Sequence, residues 1–226
     1  MSIINYHNIT YPDQNNGDGL RVVLWLSGCD HHCYNCQNPI TWDANGGLLF
    51  DEKAKEELFR ELDKDYISGL TLTGGDPLHP SNLDGVLDIV TEFNKRYRTT
   101  QDIVSSEDSN HNILNKNGNK IRLLMPEKTI WLYTGYEIKL SNLTYVDASD
   151  DYTIKKQYLF CTTQSSKNAV LNIKRQNILS SVDVVVDGRY IDSQRNITAK
   201  WKGSDNQRVI DIKKSLREGR LTLWCE

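Results

Sequence analysis

Apolar and β-branched residues are concentrated in four short runs of this chain, and after each of the first two runs apolar residues recur every three or four positions. The runs are rich in β-branched and aromatic residues, and each stops at a loop that contains glycine, which is typical of buried strands. The pattern therefore predicts strands at residues 21–26, 69–73, 129–133 and 182–186.

The segments after the first two runs have the spacing of amphipathic helices. Residues 51–63 place Leu58 and Leu62 one helical turn apart, and apolar residues recur at the same spacing over residues 83–93. Strands that alternate with helices predict an α/β fold with a parallel sheet. Ligands of such sheets bind at the carboxyl ends of the strands, so we expect the loops at 29–36, 74–77, 134–136 and 187–188 to meet at one site.

Two long polar segments interrupt this alternation. Residues 98–128 and 142–177 are rich in Asn, Ser, Asp and Lys and show little periodicity, apart from a possible strand or ribbon at 157–162. We interpret both as insertions into a single domain that spans residues 1–226. A chain of this length can form one hydrophobic core with additional segments.

Composition narrows the class of function. The net charge is -3 and the basic residues are scattered, so we expect no nucleic-acid partner. The longest apolar run, residues 22–26, is too short to span a membrane, and the first residues have neither the basic start nor the apolar core of a signal peptide. We therefore expect a cytoplasmic protein.

The cysteines are unevenly distributed. Of five, Cys29, Cys33 and Cys36 lie within eight positions, directly after the first predicted strand, whereas Cys161 and Cys225 are isolated. An odd number in a cytosolic chain favours metal binding over a disulfide framework. We expect the two isolated cysteines to be ordinary core or surface residues.

Two kinds of metal centre are compatible with three clustered cysteines. A structural zinc would need His31 or His32 as its fourth ligand, although zinc modules usually draw their ligands from two separate pairs. A 4Fe-4S cluster would be left with one iron that has no protein ligand, where a substrate could bind. In the cluster interpretation, both histidines are expected to be exposed on the loop.

Further polar or glycine residues follow the other predicted strands. Gly74 and Gly75 precede Asp76, and their missing side chains would let a ligand approach the main chain; a plain tight turn is the alternative. Thr134 and Asp187 stand at the ends of the third and fourth strands, in sequences that are also common in turns.

The spacing Cys-x3-Cys-x2-Cys resembles that of the radical S-adenosylmethionine enzymes. Five blocks, in the same order, resemble more narrowly the anaerobic ribonucleoside-triphosphate reductase activating proteins. These blocks lie at residues 21–42, 72–80, 130–136, 182–190 and 201–210.

The resemblance implies a fold, cofactors and site residues. The fold would be a partial, open (β/α) barrel, and Cys29, Cys33 and Cys36 would bind three irons of a 4Fe-4S cluster. S-adenosylmethionine would chelate the fourth iron, and the residues expected to contact it are Asn35, Cys36, Gln37, Gly74, Gly75, Asp76, Thr134 and Asp187. Relatives usually have an aromatic residue next to the third cysteine, whereas Asn35 and Gln37 flank Cys36 here.

The resemblance also implies an activity and partners. A 5'-deoxyadenosyl radical, formed by reductive cleavage of S-adenosylmethionine, would take hydrogen from a glycine of the reductase large subunit and leave a glycyl radical. A low-potential donor such as a flavodoxin would supply the electron. The alternatives are another radical enzyme, such as a pyruvate formate-lyase type activase or a small-molecule synthase, and a zinc-stabilised binding module.

Overall fold

The structure, a computed structural model, describes residues 4–98, 106–107, 113–114, 128–147, 153–163 and 167–224. The strands are β1 (Asn5–Asp13), β2 (Arg21–Leu26), β3 (Leu48–Leu49), β4 (Gly69–Gly74), β5 (Ser106–Glu107), β6 (Ile113–Leu114), β7 (Thr129–Tyr133), β8 (Ile138–Asp147), β9 (Thr153–Thr162), β10 (Val184–Asp187) and β11 (Arg208–Asp211). The α-helices are α1 (Glu52–Leu62), α2 (Leu83–Tyr97), α3 (Ala169–Ser181) and α4 (Ile212–Glu218).

A seven-stranded sheet forms the centre of the described structure, in the order β11-β10-β7-β4-β2-β1-β3. Its four central strands are parallel to one another, and they are the four strands that the sequence predicts. The outer strands β1, β3 and β11 pair antiparallel. The prediction of an α/β fold with a parallel sheet is therefore confirmed for the centre of the sheet.

The two faces of the sheet carry different side chains because successive residues of a strand point to opposite sides. On β7, Ile130 and Leu132 belong to the main core, which also includes apolar residues of all four helices. Trp131, between them, packs on the other face with Val184 and Val186, and Trp201 and Trp224 cover this smaller cluster. The helices thus cover one face, and on the other face the chain near the carboxyl end covers the part around Trp131.

The two polar segments differ in how much of them is described. Most of residues 98–128 lies outside the described residues, apart from the short β5–β6 pair. In residues 142–177 the predicted ribbon is confirmed, because β9 pairs antiparallel with β8 along its whole length. That the two segments are insertions stays a prediction. Within the described part of the chain, none of the helices combines the length and apolar composition needed to cross a membrane.

Candidate metal and cofactor site

The cysteine loop begins where β2 ends and is tied to neighbouring segments through its backbone. The amide of Gly28 donates to the carbonyl of Thr41 at 2.8 Å, and that of Cys29 to the carbonyl of Trp42 at 3.0 Å. His32 and Asn35 have left-handed backbone angles, with φ of 47° and 53°, which tighten the loop around the cysteines. All three predicted ligands therefore lie on one compact loop.

The three thiols are half-buried and free. Burial raises the pKa of the Cys29 thiol to about 12, and burial also raises the pKa of Cys33. The Sγ atom of Cys36 accepts a weak hydrogen bond from the amide of Asn38 at 3.4 Å. Cysteine binds a metal ion as the thiolate. Bound iron would therefore supply the positive charge that stabilises the thiolate form of these half-buried cysteines. Among the described residues, no three Cys, His, Asp or Glu side chains are grouped closely enough to hold a single metal ion.

The glycine loop after β4 lies directly against the cysteine loop. The amide of Gly75 donates to the carbonyl of Leu26 at 2.7 Å, and that of Asp76 donates to the carbonyl of Gly28 at 2.8 Å. A Cβ atom added to Gly75 would lie 2.7 Å from the Gly28 oxygen, so only glycine fits this approach. The expected meeting of strand ends is confirmed for β2 and β4.

Asp76 connects this pair of loops to the end of β7. Its side chain is 2% exposed, and it accepts hydrogen bonds from the amides of Leu78 and Gly135 at 2.8 and 2.9 Å. The hydroxyl of Thr134 lies 2.9 Å from both carboxylate oxygens. The fourth partner is His31, whose Nε2 lies 2.7 Å from Oδ2. These four hydrogen bonds connect the cysteine loop, the glycine loop and the end of β7 at one carboxylate.

The prediction that both histidines of the cysteine loop are exposed is wrong for His31. Its side chain is buried between Asp76, Gly135 and Tyr136, and Arg189 donates to its Nδ1 at 3.2 Å. His32 is exposed, as predicted, and its ring packs against Trp42. The adjacent histidines look alike in sequence; only contacts with residues far along the chain distinguish them.

Thr134 and Asp187 both lie at carboxyl ends of central strands, and both are buried. Thr134 binds Asp76, as described above. The Asp187 carboxylate accepts a hydrogen bond from the amide of Ile138 at 2.8 Å and forms an ion pair with Arg208. In the described structure both side chains thus have partners within the protein, and a contact with a cofactor stays a prediction.

Two cavities flank the cysteine loop. One, of about 740 Å³, is lined by Cys36, Gln37, Thr73, Tyr133 and Trp201, among other residues. The other, of about 630 Å³, lies on the Cys33 side. The first is large enough for a cofactor of drug-like size and opens beside a predicted iron ligand. Asn35, which precedes Cys36, is exposed.

Tyr133 and Arg189 also belong to the site, although no motif in the sequence marks them. The Tyr133 hydroxyl is buried without a hydrogen-bond partner among the described residues, and it belongs to the wall of the larger cavity. Arg189 reaches the cysteine loop through His31 and lines the smaller cavity. Tyr133 directly precedes the predicted residue Thr134, and Arg189 follows the predicted residue Asp187 by two positions. Their positions near strand ends were the only signal for them in the sequence.

Comparison with known proteins agrees with this donor set. A family model described as "4Fe-4S single cluster domain" matches residues 15–124 and 145–210, which places the chain in the class of proteins with one such cluster. The anaerobic ribonucleoside-triphosphate reductase-activating protein of Enterobacteria phage T4 is 34% identical over 91% of this chain and 93% of its own length. Proteins of the same name from Vibrio cholerae and Escherichia coli K12 are 29% and 27% identical, over 90% and 93% of this chain and 96% and 100% of their own lengths. The chain belongs to the family of anaerobic ribonucleoside-triphosphate reductase-activating proteins.

Proposed function

We propose that this protein activates an anaerobic ribonucleoside-triphosphate reductase by generating a glycyl radical on its large subunit. The observation that carries the proposal is the pairing of a three-cysteine loop with a glycine loop at the carboxyl ends of adjacent parallel strands, in a chain of this family. The bound 4Fe-4S cluster and S-adenosylmethionine would supply the radical that removes a hydrogen atom from a glycine of the reductase.

The protein's own residues would bind and orient these groups. Cys29, Cys33 and Cys36 would hold three irons, which leaves the fourth iron for the cofactor. Gly74 and Gly75, half-buried at the end of β4, would lie at the methionyl end of the cofactor, and Asn35 and Gln37 would contact it beside Cys36. Asp76, Thr134 and Asp187 would lie beside the cofactor, with side chains that already have hydrogen-bond partners in the protein.

The open barrel expected from the family resemblance is part of this proposal. The sheet face that carries Trp131 and Val184 would be its inner face, and the larger cavity lies next to this face, beside Tyr133 and Trp201. A cavity that is open at one side would admit a glycine-containing loop of the much larger reductase. Water would be excluded by that loop when it is bound.

The proposal includes a low-potential electron donor such as a flavodoxin, because reductive cleavage consumes one electron for each cofactor molecule. It also places the reaction in the cytoplasm, without a nucleic acid or a membrane as partner. These partners follow from the expected chemistry and from the composition of the chain.

Anaerobic reconstitution with iron and sulfide, followed by addition of the reductase large subunit, tests the activity. The reduced protein should cleave S-adenosylmethionine to 5'-deoxyadenosine and produce a glycyl radical that is visible by electron paramagnetic resonance. Cleavage without a glycyl signal would indicate a different substrate, as in the other radical enzymes considered. A colourless protein that binds zinc and cleaves no cofactor would refute the proposal in favour of a binding module.

Two cysteine variants test the ligand assignment. We expect Cys33→Ala to abolish cleavage, since it removes one of three iron ligands. Cys161→Ala should leave cleavage largely intact, because Cys161 is exposed on β9, in the strand pair that it forms with β8, and its thiol lies 3.4 Å from the Ser141 hydroxyl. Equal losses in the two variants, measured as 5'-deoxyadenosine formed per chain, would show that the ligands are wrongly assigned.

A further inference from the structure

His31 is a buried histidine on a loop whose other residues between Cys29 and Cys36 are half-buried or exposed. It is 8% exposed and lies two positions from each of the predicted iron ligands Cys29 and Cys33. The proposed reaction does not involve its side chain. Burying an imidazole is unfavourable unless its nitrogens find partners. Its contacts therefore need an explanation of their own.

Both ring nitrogens of His31 have defined partners. The Nε atom of Arg189 can only donate, so Nδ1 of His31 accepts this hydrogen bond, at 3.2 Å. The ring proton then lies on Nε2, which donates to Oδ2 of Asp76 at 2.7 Å. Because both nitrogens are engaged, the ring is fixed in orientation and neither nitrogen is free to bind a metal.

Asp76 connects His31 to two further loops. Its carboxylate accepts hydrogen bonds from Leu78, on the loop after β4, and from Thr134 and Gly135, on the loop after β7. Four donors fill the accepting capacity of a carboxylate almost completely, and at 2% exposure water cannot replace them. One carboxylate thus holds the ends of β4 and β7 and the cysteine loop together.

Gly135 fits this contact closely. A Cβ atom at position 135 would lie 2.3 Å from Cδ2 of His31, so the imidazole packs directly on the glycine backbone. On another side, the ring of Tyr136 meets the imidazole edge to face, with centroids 4.7 Å apart. The ring is therefore held by packing as well as by hydrogen bonds.

We propose that His31 and Asp76 form a positioning pair that fixes the cysteine loop before any metal binds. The pair sets the direction of the Cys29–Cys33 segment relative to the ends of β4 and β7, so that the three sulfurs face a common point. The inference rests on the proposed function for the identity of the bound group, a 4Fe-4S cluster. It assigns Asp76 to loop geometry, whereas the family resemblance places this residue at the cofactor.

Three variants separate this role from the alternatives. His31→Leu fills the same volume without hydrogen bonds, whereas His31→Gln keeps an N–H for Asp76 and an oxygen for Arg189, in a flat group that fits against Gly135. His32→Asn is the matched control: it changes the neighbouring, exposed histidine, and Asn tolerates the left-handed backbone at this position.

Hydrogen exchange in the metal-free protein is the first measurement. We expect amides of residues 29–36 to exchange at least tenfold faster in His31→Leu than in the wild type, while those of β2 and β4 are unchanged. His31→Gln should restore most of the protection, and His32→Asn should match the wild type. Wild-type exchange rates in His31→Leu would overturn the proposal, and this readout does not depend on the identity of the metal.

Anaerobic reconstitution is the second measurement. His31→Leu should retain less than half of the wild-type iron per chain after gel filtration, with an altered electron paramagnetic resonance spectrum of the reduced cluster, and His31→Gln should recover both. Asp76→Asn should lose iron in the same way; full iron content with weakened S-adenosylmethionine binding would instead show that Asp76 contacts the cofactor and would overturn its assignment. A wild-type protein that forms no cluster would refute the proposed function, while the exchange result would still decide on the positioning pair.

Discussion

At the scale of single residues, Arg21 shows how hydroxyl and carbonyl oxygens of the described residues can hold a buried cation. Its guanidinium donates to the Thr71 hydroxyl at 2.7 Å and to the carbonyls of Leu70 and Thr129 at 2.6 and 2.7 Å. Burial lowers the pKa of Arg21 to about 10, and the guanidinium also lies 5.6 Å from the centre of the Trp131 ring. The side chain thus links β2, β4 and β7 at their amino ends, opposite the cysteine loop.

Replacing Arg21 by methionine should destabilise the protein considerably. Met fills much of the volume but leaves the polar groups of Thr71 and Thr129 without these donors, so we expect the free energy of unfolding to fall by about 3 kcal/mol. Urea unfolding of the metal-free protein measures this change. Arg60→Met is the control, because Arg60 is exposed and should change stability by less than about 0.5 kcal/mol. Equal effects of the two substitutions would contradict the assigned role.

Residues marked by a motif could be predicted from the sequence. Residues that act through contacts with distant parts of the chain could not. Cys29, Cys33 and Cys36 could be placed at a strand end because their spacing and the preceding apolar run are both local signals. The burial of His31 could not be foreseen, since it depends on Asp76, which is 45 positions away, and on Arg189, which is 158 away. Local pattern distinguishes an apolar face from a polar one, but not two adjacent histidines from each other.

At the scale of elements, the buried strands were the most predictable part of the fold. Strands β2 and β7 have the bounds that their apolar runs predict, and β4 and β10 differ by one or two residues. The outer strand β1 was not predicted, because its sequence NYHNITYPD is polar and contains proline. Among the described strands, β3 pairs only with Asn5 and Tyr6 of β1, so Pro12 lies beyond that pairing. Burial on both faces leaves a strong signal in the sequence, and exposure on one side removes it.

The close approach of β4 and the cysteine loop predicts the effect of a single methyl group. In Gly75→Ala the new Cβ would meet the Gly28 backbone at 2.7 Å, so the two loops must separate. We expect about 2 kcal/mol lower stability and less than half of the wild-type iron after reconstitution. Gly46→Ala is the control, because a Cβ atom at position 46 would lie 3.2 Å from its nearest neighbour, the Asp43 oxygen. Normal iron content in Gly75→Ala would show that the loops need not touch for the cluster to bind.

At the scale of the whole molecule, the main core and the candidate metal site are built from different residues. Core positions such as Leu24, Leu72, Phe93 and Leu132 are fully buried between the sheet and the helices, and none of them belongs to the cysteine loop. The cysteines occupy the edge where the strands end. The fold therefore has an apolar core that does not depend on a metal, in contrast to small zinc modules, in which metal binding supplies most of the folding free energy.

Removal of the cluster should leave the protein folded. We expect the far-ultraviolet circular dichroism of the metal-free protein to match that of the reconstituted protein. The thermal midpoint should fall by about 5 to 10 °C. A ligand present at about a hundred times its dissociation constant stabilises the native state by about 2.7 kcal/mol, and 1 kcal/mol shifts the midpoint of a chain of this size by about 2–4 °C. Anaerobic chelation followed by a thermal scan measures both quantities. Complete loss of the circular dichroism signal would mean that the metal holds the fold together, and it would favour the metal-stabilised binding module over the activating enzyme.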